Sequence, residues 1–245
     1  MKKVSSLIIF LLLSITSFSE ITIPKINMGI GQSSSPTDLV TSLQILIILS
    51  VLTLAPSIII MTTSFVRIIV VFHFVRQALG LQTMPPNQII VGLSLILTFF
   101  IMKPTVTQVV DTGINPYLNK KINQEQFFNN IQNPLKNFML KQTQEKDLEL
   151  FIKISKTSVP KSRMETQFWI VLPAFVLSEL TRGFEIGILI YIPFIIIDMI
   201  VSTVLMSLGM MMLPPIMISV PFKLLLFVMV DGWSLIIESL VKSFN

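Results

Sequence analysis

Glu179, Glu185, Asp198 and Lys223 are ionisable side chains set in otherwise apolar sequence, and charge chemistry has its best footing in this chain at those four positions. Between Asp198 and Asp231 the only charge is Lys223. A lysine at mid-membrane depth costs about 2.5 to 3.5 kcal/mol on insertion scales, so it faces a polar partner, a water-filled cavity or the interface rather than lipid. Two readings are open for it: a functional charge held by a partner, or a residue near the end of a span whose ammonium snorkels to the headgroups. Charges inside apolar segments tend to pair, which makes an ion pair or a proton relay the available chemistry. The expected pair is Glu179 with Lys223, across subunits, and Asp198 is a further buried charge.

Other chemistries lack residues. The chain has no cysteine and one histidine, which excludes thiol catalysis, disulfides, zinc ribbons and any multi-histidine metal centre. The sequence contains no H-E-x-x-H, no G-x-S-x-G and no Walker-type glycine loop, so protease, hydrolase and nucleotide-driven pump have no footing. An all-carboxylate set is the one donor set left for a metal. No catalytic, cofactor or metal site is assigned, and the chain is expected not to be an enzyme. His73, between Arg67 and Arg76, reads as a loop or interface histidine without a chemical role.

Met210, Met211 and Met212 form the other unusual group. Each helical residue advances 100 degrees, so three in a row cannot share one face. At a helix end before Pro214-Pro215 they line a loop, where flexible, polarisable side chains suit a surface that must seal around variable shapes. Simple packing of a methionine-rich turn is the competing explanation.

The elements that must hold these residues are apolar helices. Hydrophobic residues make up 52% of the chain and charged residues 13%, with a mean hydropathy of +0.80, whereas soluble domains are about a quarter charged. This is the composition of a membrane protein, and the fold class expected is an all-α membrane protein built from two helical hairpins and a small helical extracytoplasmic subdomain. The net charge of +5 does not imply nucleic acid, because the basic residues are scattered and form no stripe with interleaved aromatics.

Residues 1–19, with Met1-Lys2-Lys3, a short apolar core and Ser17-Phe18-Ser19, have the form of a secretory signal cleaved after Ser19; residues 20–38 read as an extended lead-in. The first hairpin is expected over 39–102. Uncharged stretches from Leu39 to Val66, kinked at Pro56, and from Gln77 to Met102 are each long enough to span. Their connector carries Arg67, His73 and Arg76 and no acid, which places it in the cytoplasm by the positive-inside bias. The polar segment 103–165 then lies outside. In it Asn123 to Gln126 has the form of a helix N-cap with glutamine at N3, leading a helix that carries Phe127, Ile131, Leu135, Phe138 and Met139 and bends at Pro134. Leu148, Phe151 and Ile152 mark a second short helix. The second hairpin with a C-terminal tail takes 166–245, broken at Pro214-Pro215, with Trp233 at the interface and Ser234 to Phe244 continuing as an amphipathic tail.

The hairpins repeat. At an offset of 129, Leu79-Gly80 falls on Leu208-Gly209 and Pro85-Pro86 on Pro214-Pro215, which makes both pairs of prolines hairpin breaks. Phe65, Val75, Ile89, Val91 and Leu95 fall on Phe194, Val204, Ile218, Val220 and Leu224. A fixed offset preserves chain direction, so this is a parallel repeat.

Four stretches resemble a known family. They are Pro173 to Leu180, Gly187 to Phe194 with Asp198, Gly209 to Pro215, and Pro221-Phe222-Lys223 through Asp231-Gly232-Trp233, supported by Pro134 to Met139 and Glu145 to Leu148. Together they are similar to the FliP family of flagellar type III export-gate proteins over most of the mature chain. The related injectisome SctR family shares much of this, while the cleavable signal and the Pro-Pro after the methionines fit the flagellar branch. The resemblance implies a non-enzymatic, pore-forming subunit in the bacterial inner membrane at the flagellar basal body. It implies a homo-oligomer of five copies with FliQ- and FliR-type gate subunits, admitting unfolded flagellar proteins. It also implies that Met210, Met211 and Met212 form a pore constriction, that Glu179 and Lys223 sit at subunit contacts, and that apolar helices drawn into the assembly need not cross lipid in the ordinary way. The alternative from a different class is a proton-coupled secondary transporter subunit, with the parallel repeat and Asp198 as its features.

Overall fold

A computed structural model describes residues 36–210 and 212–244, with side chains from residue 42 onward. The expected signal segment, the lead-in up to residue 35 and Met211 lie outside the described residues. Among the described residues every regular element is helical. The fold is thus all-α, and three helical stretches, Ser42–Met61, Asn87–Leu118 and Phe168–Ser207, are long and apolar enough to cross a membrane.

By its internal contacts the chain divides after Ser50. The unit up to Ser50 holds the first part of helix α1 (Pro36–Met61), where the Ser50 hydroxyl donates back to the Leu46 carbonyl at 2.8 Å. Pro56 lies inside α1.

The unit from Val51 onward is organised around two helices that the hydropathy pattern alone does not separate. Helix α2 (Phe65–Ala78) occupies the segment expected to be a connector. Its buried residues, Phe65, Ile68, Val71, Phe72, Val75 and Ala78, recur every three to four positions, the spacing of one helix face. Helix α7 (Phe168–Ser207) packs along the adjacent flank of α2, at Val70 and Phe74, where Gly183 and Gly187 of α7 make room. A Cβ at Gly183 would lie 3.0 Å from the Val70 side chain, and one at Gly187 would lie 2.5 Å from the Phe74 ring. Small residues one turn apart let two helix backbones approach closely, as is common in membrane proteins.

Two corrections follow. The span expected over Gln77–Met102 is two elements, because α2 ends at a glycine with positive φ (Gly80, +75°) before Pro86 precedes helix α3 (Asn87–Val109). The connector is also no loop on the side opposite the polar segment. Arg67 and Arg76 sit at the two ends of α2, about 13 Å apart along its axis, and Arg67 bonds Gln142 of the polar segment.

The polar segment runs through a π-helical stretch (Val110–Ile114), α4 (Asn115–Leu118), α5 (Gln124–Gln142), α6 (Glu145–Ser155) and a 3-10 turn (Arg163–Glu165). Its N-cap forms as the sequence predicts: the Gln126 N–H donates to the Asn123 side chain at 2.8 Å and the Asn123 N–H to the Gln126 side chain at 3.1 Å. Met139, Leu140 and Leu148 pack with Val171, Ala174 and Phe175, so the first turns of α7 complete this small core. Helix α7 is 40 residues long, about 60 Å at the helical rise, twice a bilayer's hydrocarbon thickness of about 30 Å. It therefore serves the polar subdomain at one end and the hairpin core, through Phe194, at the other.

Helices α8 (Pro215–Met229) and α9 (Gly232–Lys242) meet at a bend of 64°. The expected continuous tail is thus broken. Asp231 takes a left-handed conformation (φ +49°), and a Cβ at Gly232 would fall 2.3 Å from the Phe227 ring. Trp233 packs edge-on against Phe72 and Phe227 instead of standing alone as an interfacial anchor.

Candidate functional site

The two hairpin turns share their hydrogen bonding. At the end of α2 the Gly80 N–H donates to the Gln77 carbonyl and the Leu81 N–H to the Arg76 carbonyl; at the end of α7 the Gly209 N–H donates to Met206 and the Met210 N–H to Leu205. Both are Schellman caps with glycine in the left-handed position, at φ +75° and +73°. Glycine is needed there because a side chain is strained at positive φ. The corresponding bonds sit 129 residues apart, so the repeat read from Leu-Gly and Pro-Pro extends to the backbone. Beyond the second cap Met210 is half-exposed and Met212 is 99% exposed, so these two methionines lie on the outside of this chain.

Charge is concentrated at two places inside the helices. Arg67, at the start of α2, is fully buried, and all five of its N–H groups find acceptors. Nε and Nη2 grip both carboxylate oxygens of Glu179, Nη2 also reaches the Gln142 side-chain oxygen at 3.0 Å, and Nη1 donates to the Ser243 carbonyl and hydroxyl at 2.8 and 2.9 Å. The Phe244 ring lies 3.8 Å from the guanidinium carbon, and Gln142 donates to the Phe244 carbonyl at 2.9 Å. One guanidinium thereby ties α2, α5, α7 and the C-terminal residues. A bidentate, fully bonded geometry of this kind is what a buried ion pair needs to offset desolvation.

The second place is Lys223 of α8, which is 2% exposed. Its ammonium donates to Asp198 of α7 at 2.6 Å and to the Ala78 carbonyl at the end of α2 at 3.1 Å. Asp198 also accepts from the Ser219 hydroxyl at 2.5 Å. The cation sits at the C-terminus of α2, where unpaired carbonyls favour positive charge. Lys223 therefore has partners within the chain and does not snorkel. Asp198 is less enclosed than expected, with 26% of its side chain exposed.

Within the chain Glu179 and Lys223 are not partners of each other, in contrast to the pair expected from their sequence setting. Each residue belongs to a different pair, Glu179 with Arg67 and Lys223 with Asp198, because α7 is long enough to carry one acid at the subdomain end and the other toward the turns. Sequence reasoning missed Arg67, Gln142 and Ser243. Arg67 had one available signal, its place inside an i, i+3, i+4 apolar pattern that makes a loop arginine improbable.

At the turn end Arg76 donates to Asn87 at 2.6 Å and bonds His73 Nδ1 at 3.1 Å. Burial, and after it the Arg76 charge, hold the His73 imidazole below its ordinary value, so the ring is neutral and accepts from Arg76. Among the described residues no cluster of three or more metal-ligating side chains occurs.

The sequence matches the FliP family over residues 48–240. It is 48% identical over 217 residues to the flagellar biosynthetic protein FliP of Bacillus subtilis, covering 89% of this chain and 98% of that protein. It is also 48% identical over 220 residues to that of Caulobacter vibrioides (90% and 82%), and 45% identical over 227 residues to that of Aquifex aeolicus (91% and 92%). This chain belongs to the FliP family. Within this FliP-family chain both buried pairs, both Schellman turns and the methionine segment fall inside the matched residues.

Proposed function

We propose that the chain is a pore-forming subunit of the flagellar type III protein export gate, conducting unfolded flagellar proteins across the bacterial inner membrane at the flagellar basal body. It would do so as a homo-oligomer of five copies, together with FliQ- and FliR-type subunits and without enzymatic chemistry. The observation that carries this reading is the near-complete alignment with proteins named for flagellar biosynthesis, which reaches 98% of the Bacillus subtilis FliP. Two structural features support it. Glu179 and Asp198 are each engaged in an ion pair within the chain, and Met210 and Met212 lie exposed beyond a glycine-capped turn. Methionine side chains in a ring can exclude water by dewetting and still deform around an extended polypeptide.

The deciding measurement is particle mass and composition after mild detergent extraction from cells that express the partner subunits. A ring containing several copies of this chain with the two kinds of partner subunit is the expected result. A compact monomer or dimer that exchanges protons with a solute would replace this reading with the secondary transporter.

A further inference from the structure

We propose that the cavity beside the Arg67 hub is a binding site for an anionic phospholipid. The cavity, about 620 Å³, lies between α3, α5, α7 and the C-terminal residues. This volume suits a headgroup with the first part of its acyl chains. Its lining contains two cations, Lys141 and Arg182, and no carboxylate. Glu179 and Glu185 both lie three positions from Arg182 on α7; Glu179 is already held by Nε and Nη2 of Arg67, and Glu185 is exposed and outside the cavity lining. Arg182 is partly buried, gives one N–H to Gln142 at 3.0 Å, and forms no ion pair among the described residues. A guanidinium with spare donors beside an ammonium fits a phosphate, which accepts in the planar, bidentate geometry that arginine offers.

The uncharged part of the wall has a polar side, formed by Thr105, Gln108, Asn137, Gln142 and Ser243, and an apolar side. Phe100, Ile101, Phe138 and Phe244 line the same cavity, and from Phe100 an exposed apolar strip, Ile96, Phe99 and Phe100 at 56, 68 and 66% exposure, continues along α3. The cavity also lies where the apolar stretch of α3 runs into the polar subdomain, the depth at which a headgroup sits. Charge at one end and a strip of exposed aromatics at the other match one amphiphile. Because Gln142 and Phe244 belong both to this wall and to the Arg67 network, a bound lipid braces the joint between the hairpins and the subdomain. The inference stands apart from the export reading and requires only that the helices lie in a bilayer.

The test uses the full chain, purified and delipidated in neutral detergent, titrated separately with phosphatidylglycerol, phosphatidylcholine and inorganic phosphate, and read by native mass spectrometry and thermal unfolding. Phosphatidylglycerol is expected to bind at least tenfold more tightly than phosphatidylcholine and to raise the unfolding midpoint. Each basic residue near an anionic headgroup is worth roughly fivefold in affinity, so Lys141→Gln should weaken binding about fivefold and Lys141→Gln with Arg182→Gln roughly thirtyfold. Lys153→Gln, on the exposed face of α6, should change nothing. If the double variant does not fold, the exposed Lys141 variant decides. Equal binding of the two lipids, no binding of either because another copy fills the space, or unchanged affinity in the Lys141 variant overturns the proposal. So does inorganic phosphate giving the full stabilisation, which would make the site one for a free anion.

Discussion

Arg67 shows how a single residue can be misjudged when charge is counted without periodicity. In the sequence it looks like a topology signal, yet in the fold it is the most enclosed cation in the described chain, with a complete set of acceptors. Removing one partner of such a pair leaves an uncompensated buried charge and costs about 3 to 5 kcal/mol, while replacing both with apolar groups of similar size is often close to neutral. Arg67→Met is therefore expected to lower the recovery of folded protein from the membrane sharply. Arg67→Met combined with Glu179→Leu should recover part of that loss, although Gln142 and Ser243 each lose the bonds that Arg67 gave them. The comparison is of detergent-solubilised thermal midpoints for the two single variants and the double. Strictly additive losses would mean that the pair is not coupled. Asp198→Asn should be milder, because the amide oxygen can still accept from the Lys223 ammonium, which also keeps the Ala78 carbonyl.

At the scale of elements, the contact of α2 with α7 depends on two glycines that sequence reading did not separate from the others. Gly187→Ala should destabilise, because the new methyl would sit 2.5 Å from the Phe74 ring, whereas Gly92 in α3 has nothing within 4 Å of an added Cβ. Gly92→Ala is expected to be neutral or to stabilise by about 0.5 to 1 kcal/mol through helix propensity. Opposite signs in a thermal-unfolding comparison are the expected outcome; a loss of equal size at Gly92 would count against the packing account. The same contrast explains what was legible. The capping box at Asn123, the short helix around Leu148 to Ile152, and the repeat of Leu-Gly and Pro-Pro all depend on local bonds or nearby spacing, so the sequence carries them directly. The identity of α2 as a packed arm, the break before Trp233 and the partners of Glu179 and Lys223 depend on residues far apart in the chain. Arg67 and Glu179 are separated by 112 positions, Lys223 and Ala78 by 145, and no window of sequence links them.

For the whole molecule, the two Schellman turns set one constraint on how a gate could work. Each fixes a chain reversal with a left-handed glycine, so the residue after it leaves the helix in a defined direction, and in the second hairpin that residue opens the methionine segment. In the first hairpin the corresponding residues are Leu81, Gln82 and Thr83, so the repeat supplies a shared scaffold and only the second copy carries the methionines. A seal in the assembled pore would then come from side chains mounted on a rigid turn rather than from a moving backbone. Replacing Met210, Met211 and Met212 together with glycine removes the apolar bulk without adding charge, and it leaves Gly209, Leu205 and Met206, which form the cap, untouched. The assembly is expected to form at normal levels while the inner membrane becomes permeable to small ions, measured as membrane leak in cells that make the variant with its partner subunits. Gly209→Val, which strains the turn at φ +73° while keeping all three methionines, should instead reduce recovery of the assembled complex. Cells that stay tight around a fully assembled triple-glycine variant would show that the methionines pack the turn and do not close the pore.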